Sequence, residues 1–308
     1  MRPAVSFALK FLFACGAMGL LFRFVPVDEI ADALAGSNGM IFAAGLALQF
    51  MNRGLATVPM KIIADGQGIG ISRRTLFRVL LAVQFYAVFL PGALAGGGAT
   101  WMKYIQYGAD KGAAAAAIVV NRAVGSLMLL AVGSLALLLD PEIGAFPSFV
   151  ALGLTCAGVA CLVLAWIPWQ PVIAGPIAGS RHLGEFLNRL LGFKRLAARE
   201  RAIVMTSMIV QEFGNAAAMW VFANAVGVHV GYLSVIWIRA ALQMALLLPL
   251  SFAGLGIREA SLVGLGAIIG MQPVDAMAWS FTILAGTLSV ALAGGILESS
   301  AWSRPGKS

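Results

Sequence analysis

The chain has 308 residues, 60% of them hydrophobic and only 11% charged, with a mean hydropathy of +0.91. Soluble domains carry roughly 25% charged residues, so this chain cannot cover itself with polar surface, and a soluble globular enzyme is excluded. The net charge of +8 comes without any nucleic-acid-binding pattern and reads as a basic face lying against anionic lipid.

A full membrane span takes about 20 mostly apolar residues. Six segments qualify, at about 4–25, 40–63, 113–139, 147–168, 202–226 and 275–298. The first follows Met1-Arg2-Pro3 and, lacking a small-x-small cleavage site, is read as a retained helix rather than a signal peptide. Two further apolar stretches, 79–112 and 232–272, are broken in the middle. Pro91 is followed by Gly96, Gly97 and Gly98, and Pro249 by Gly254 and Gly256. Such clusters do not sit inside one continuous helix. The arms around the first break, about 12 residues each, cross only about half of a ~30 Å hydrocarbon core. The pattern predicts re-entrant hairpins; two complete short helices would give the same parity, and eight spans.

Charge sets sidedness. Lys61, Arg73, Arg74 and Arg78, the basic residues from Arg181 to Arg201, and Arg304 and Lys307 fall on one side with Arg2. Asp28, Glu29, Asp32, Asp140, Glu142 and Asp275 fall on the other with Arg23. The positive-inside rule then puts both termini in the cytoplasm. Residues 170–201 contain the long polar stretch, with leucines at near-helical spacing from Leu183 to Leu196. They are read as an amphipathic cytoplasmic segment.

The order span, span, broken hairpin, span occurs twice. The expected architecture is therefore an all-α polytopic membrane protein of about six full spans and two broken hairpins. It forms one transmembrane domain whose inverted halves are about 1–140 and 147–300. Paired interrupted segments in inverted halves point to a transport site near the midplane.

Ionisable residues inside a membrane are costly and become candidates for function. Arg122, Arg239, Glu212, Arg258 and Glu259 fall within apolar stretches, and Lys103 follows the first break. A guanidinium matches phosphate bidentately, so Arg122 and Arg258 are the candidate phosphate ligands. The alternative is an internal salt bridge from Arg122 or Arg53 to Glu212 or Glu259. Arg53 and Lys103 lie close enough to a membrane face to snorkel. Cys15, Cys156 and Cys161 sit in apolar runs, and His182 and His229 are the only histidines, so no metal or cofactor is expected. No hydrolase, zinc-protease or nucleotide-loop signature occurs, and an enzyme is not expected.

Four stretches carry a family resemblance: Phe89-Leu90-Pro91-Gly92 leading to Gly96-Gly97; Asn121-Arg122-x-x-Gly125; Pro249-x-Ser251-x-x-Gly254-x-Gly256-x-x-Glu259; and Gly294-Gly295. Over roughly 40–298 the chain resembles the lysylphosphatidylglycerol synthase transmembrane region family, also called flippase-like membrane proteins. The resemblance implies a polytopic inner-membrane protein that moves or binds an anionic phospholipid or polyprenyl-linked lipid. The midplane site expected at the paired breaks takes in Pro91, Gly96, Gly97, Pro249, Gly254 and Gly256, where exposed backbone N–H groups suit an anion. The synthase activity of two-domain relatives is not expected, because about ten residues follow the last span. Where the family shows an acid and an Arg after the first Gly-Gly, this chain offers only Lys103; where it shows Glu-Arg, this chain has Asn121-Arg122. The competing expectation is an accessory subunit that docks a membrane lipid-modifying or glycosyltransferase enzyme.

Overall fold

A computed structural model describes residues 27–89, 95–143, 196–246 and 255–302, with Gly19, Arg23 and Val25. Almost all of span 4–25, all of 147–168, most of segment 170–201, and Pro91, Pro249 and Gly254 lie outside the described residues. Among those residues the regular structure is entirely helical: α1 (Val27–Ala35), α2 (Gly39–Gly66), α3 (Arg73–Phe89), α4 (Ala95–Gln106), α5 (Lys111–Leu139), α6 (Ala198–Ala225), α7 (Tyr232–Leu246), α8 (Ile257–Ile268) and α9 (Pro273–Trp302).

Three helices are long and apolar enough to cross a membrane: α2, α5, and α9 from Pro273 to Ser299. They contain the sequence-predicted spans 40–63, 113–139 and 275–298. The fourth long helix, α6, covers the predicted span 202–226 but starts on Arg199, Glu200 and Arg201 and carries Glu212 inside.

Local sequence explains the ends. Asn38 caps α2 by accepting from the backbone N–H groups of Met40 and Ile41, and Asp110 caps α5 by accepting from Gly112 and Ala113. Each side chain satisfies donors that a helix start leaves without partners. At the other end, α2 and α6 finish in the same turn. Ile69 donates to Ala64 across Gly68 (φ +76°), and Val228 donates to Ala223 across Gly227 (φ +74°). The left-handed conformation at those two positions is what glycine supplies without a Cβ penalty.

The helices also pack in matching pairs. The α2 helix packs on α6. Where α3 packs on α9, α5 packs on α7; where α3 meets α4, α7 meets α8; where α4 meets α5, α8 meets α9. The α2 contacts with α3, α5 and α9 have counterparts between α6 and α7, α9 and α5. Exchanging α2–α5 with α6–α9 therefore returns the same set of principal contacts. Lengths agree as well, at 28 and 28, 17 and 15, 12 and 12, and 29 and 30 residues.

Glycine makes the closest of these approaches. Gly294 lies on the Leu81 backbone and Gly295 on the Phe85 ring, so a Cβ at either position would overlap α3. Gly133 of α5 meets Ala240 of α7 in the corresponding seam. At the centre, the fully buried Phe222 ring is clasped by Gly45 of α2 and Gly286 of α9, where a Cβ would come within 2.6 Å of it. Backbones that approach this closely gain dispersion contact, which is what holds helices together where lipid competes equally for apolar surface. The short α1 rests Ile30 on Met277 of α9 and leaves Asp28, Glu29 and Asp32 exposed. Those acids suit the first turns of a helix.

Candidate functional site

The two broken segments end in helices of equal length, α4 and α8, whose first turns differ. In α4 the second and third residues are Gly96 and Gly97. Arg122, reaching across from α5, lays its guanidinium over them: a Cβ on Gly97 would stand 3.5 Å from Nη2, and one on Gly96 3.9 Å. Arg122 is exposed, and among the described residues no hydrogen bond or ion pair engages it. A cation therefore stands beside the end of α4 that already carries the positive pole of the helix dipole. Its neighbour Asn121 has a buried Oδ1 without a hydrogen-bond partner.

In α8 the equivalent space is filled. Gly256 (φ +82°) turns the chain into the helix, and Glu259 at the third position is fully buried. Its Oε2 accepts from the Gly256 backbone N–H at 2.7 Å. Its Oε1 accepts from Arg258 Nε at 3.1 Å and from Ser280 Oγ of α9 at 3.0 Å. Arg258, only 5% exposed, is held within this network, although its Nη2 makes no hydrogen bond. Of the two sequence-predicted phosphate ligands, Arg122 is open and Arg258 is enclosed.

The remaining candidates are paired. Glu212 of α6 forms an ion pair with Arg239 of α7, both half-buried. Lys103 forms one with Glu298 of α9, to which Tyr86 also donates at 3.3 Å. Lys103 thus ties α4 to α9 through Glu298, which Tyr86 of α3 also meets. Among the described residues, Glu212 and Glu259 do not pair with Arg122 or Arg53 as the alternative expected; Glu212 takes Arg239 and Glu259 takes Arg258. Arg53 donates to Gln84 of α3 at 2.8 Å, and Asn52 beside it bonds the Gln211 carbonyl and the Asn215 side chain of α6.

Sequence reading missed a polar knot at the far end of α5. Asp140 is buried and accepts from Ser234 Oγ at 2.6 Å and Trp237 Nε1 at 2.7 Å, while Glu142 also meets Ser234 at 2.7 Å. The two acids looked like loop charges, and no spacing in the sequence joins them to α7. Glu298 was missed for a similar reason, since an acid near the end of the last span resembles a surface charge. Among the described residues no cluster of His, Cys, Asp or Glu could hold a metal ion.

The Arg122 guanidinium thus lies over Gly96 and Gly97 in a fold with three helices apolar and long enough to cross a membrane. No curated protein matches the chain. Over residues 7–295 it matches the family model described as the lysylphosphatidylglycerol synthase TM region, and the chain accordingly belongs to that family, a group of integral membrane proteins associated with lipid handling.

Proposed function

We propose that the protein binds an anionic lipid headgroup, a phospholipid's or a polyprenyl-linked lipid's, and moves it between leaflets, without catalysis of its own. Arg122 over Gly96 and Gly97 is the observation that carries this reading. An exposed guanidinium that meets no carboxylate among the described residues, next to the positive end of α4, gains most from a phosphate. In this reading α2–α5 and α6–α9 are inverted repeats within an inner membrane, with both termini cytoplasmic. Their matching lengths, turns and packing partners support that arrangement. The short helices α4 and α8 are the inner arms of re-entrant hairpins, broken at Pro91 and at Pro249 and Gly254. The Gly256–Arg258–Glu259 network holds the second hairpin still while the first accepts the headgroup. Lys103 with Glu298, and Glu212 with Arg239, brace the walls.

Purified protein in liposomes tests this with a headgroup-labelled anionic phospholipid and a membrane-impermeant quencher. Arg122→Ala is expected to abolish the protein-dependent transfer, and Arg122→Lys to keep part of it, because charge is retained and the bidentate fork is lost. Equal transfer by Arg122→Ala would overturn the assignment. Transfer seen only with a co-purified membrane enzyme would make the chain an accessory subunit instead.

A further inference from the structure

The α4 helix is bracketed by two cations. Arg122 lies over its first turn, and Lys103 stands in its last. Gly96 and Lys103 are seven residues apart in sequence, two turns of helix, so they share one face of α4 at about 10 Å along its axis. Thr100 falls between them on that face and donates its hydroxyl to the Gly96 carbonyl at 2.8 Å. Both ends of this face border the seam between α3 and α4. At one end Gly96 rests against Val83 and Ala87 of α3. At the other, Tyr86 of α3 and Lys103 of α4 converge on a single carboxylate oxygen, Oε1 of Glu298.

An ammonium and a phenol hydroxyl closing on one anionic oxygen suit a phosphate oxygen as well as a carboxylate. The carboxylate that occupies this place is weakly held. Side-chain exposure is 14% for Lys103 and 27% for Glu298, so solvent screens the pair, and screened pairs add little to stability. Glu259 at the second break differs, being fully buried with its hydrogen bonds made to Gly256, Arg258 and Ser280. Glu298 stands near the end of α9, where its carboxylate can exchange Lys103 for water.

We infer that Tyr86 and Lys103 form a second headgroup station, two turns along the α3–α4 seam from Arg122, and that Glu298 is its tethered competitor. The ligand is the phosphate of an anionic lipid. Its oxygen displaces the Glu298 carboxylate from Lys103 and Tyr86, and the carboxylate returns when the headgroup leaves. The station rests on the lipid-binding reading above and deepens it, since it adds a second stop at the far end of α4. The pair that braces α4 at rest is then the pair that gives way to the headgroup.

Fluorescent phosphatidylglycerol, titrated into the full chain purified in a neutral detergent, tests the station. Lys103→Gln is expected to weaken binding and Glu298→Gln to tighten it, each by about two- to fivefold, the effect of removing one screened charge contact. A brace with no part in binding would move both variants in the same direction or neither. Lys103→Arg keeps the cation and is expected to retain binding. Loss shared by Lys103→Gln, Lys103→Arg and Glu298→Gln would mean damage to the junction and would overturn the station, as would unchanged binding in all three. Release of the lipid by millimolar inorganic phosphate would overturn a lipid as the occupant. Binding lost in Arg122→Ala yet unmoved in the junction variants would remove this station alone. Failure of the unaltered chain to bind would bring down the lipid reading itself.

Discussion

The starts of α4 and α8 are the same length of helix in equivalent packing, entered from a Pro/Gly break, and they use opposite chemistry. In α8 the third residue is Glu259, which satisfies a backbone N–H, an arginine and a serine while fully buried. In α4 the third residue is Gly97, and the space a side chain would fill holds the exposed guanidinium of Arg122. A buried carboxylate with all its hydrogen bonds made fixes a turn. At the start of α4 no described carboxylate does this, and the Arg122 guanidinium stands there instead. Two helix starts of equal length can thus be finished differently, the difference residing in the residue at the third position.

The comparison can be broken at its strongest point first. Glu259→Ala strands Arg258 as a buried charge and the Gly256 N–H as an unsatisfied donor. It is expected to cost about 3–5 kcal/mol, the usual result of removing one partner of a buried pair. Thermal unfolding of the detergent-purified protein checks this, and an unchanged melting temperature would mean that α8 is not held by its carboxylate. Next, Gly256→Ala places a Cβ in the left-handed region at φ +82° and is expected to cost about 1–2 kcal/mol in the same measurement.

Smaller effects sharpen the contrast. Gly97→Glu copies the α8 chemistry into α4, and a Cβ at that position meets Arg122 at ordinary contact distance. The new pair is expected to add about 1 kcal/mol at most, as an exposed ion pair does, while lipid transfer falls because the cation is occupied. Transfer that survives the substitution would separate Arg122 from the headgroup. Arg122→Ala should change stability least, by about 0.5 kcal/mol or less, since the side chain is exposed and unpaired. A large loss of stability there would recast Arg122 as a structural residue.

Much of the helical layout was legible in the sequence. The spans at 40–63, 113–139 and 275–298 follow from apolar runs longer than the ~30 Å hydrocarbon core needs, and α2, α5 and α9 contain them. Clustered proline and glycine marked both segments; α8 begins just beyond its glycines, whereas α4 begins at Ala95 and takes Gly96, Gly97 and Gly98 into its first turn, where the sequence predicted a break. The Gly294-Gly295 pair was visible as a motif, but its partner Leu81, and the role of Gly133 against Ala240, were not. A glycine in a membrane helix is common, and only the neighbouring backbone shows which one is a contact.

The candidate site was legible as a set of ionisable residues and illegible as a set of pairs. The cost of a charge in lipid singles out Arg122, Arg239, Arg258, Glu212 and Glu259 from sequence alone. Which carboxylate meets which arginine depends on rotation and register between helices far apart in the chain, and Arg239 with Glu212 is such a case. Composition and apolar run length by themselves determined that this is a membrane protein of long helices with two interruptions, because transfer from water depends on local hydrophobicity. Tertiary structure decided that Glu259 accepts from Gly256, Arg258 and Ser280, that Arg122 lies over Gly96 and Gly97, and that Arg53 meets Gln84, because electrostatic pairing depends on distances that only packing sets.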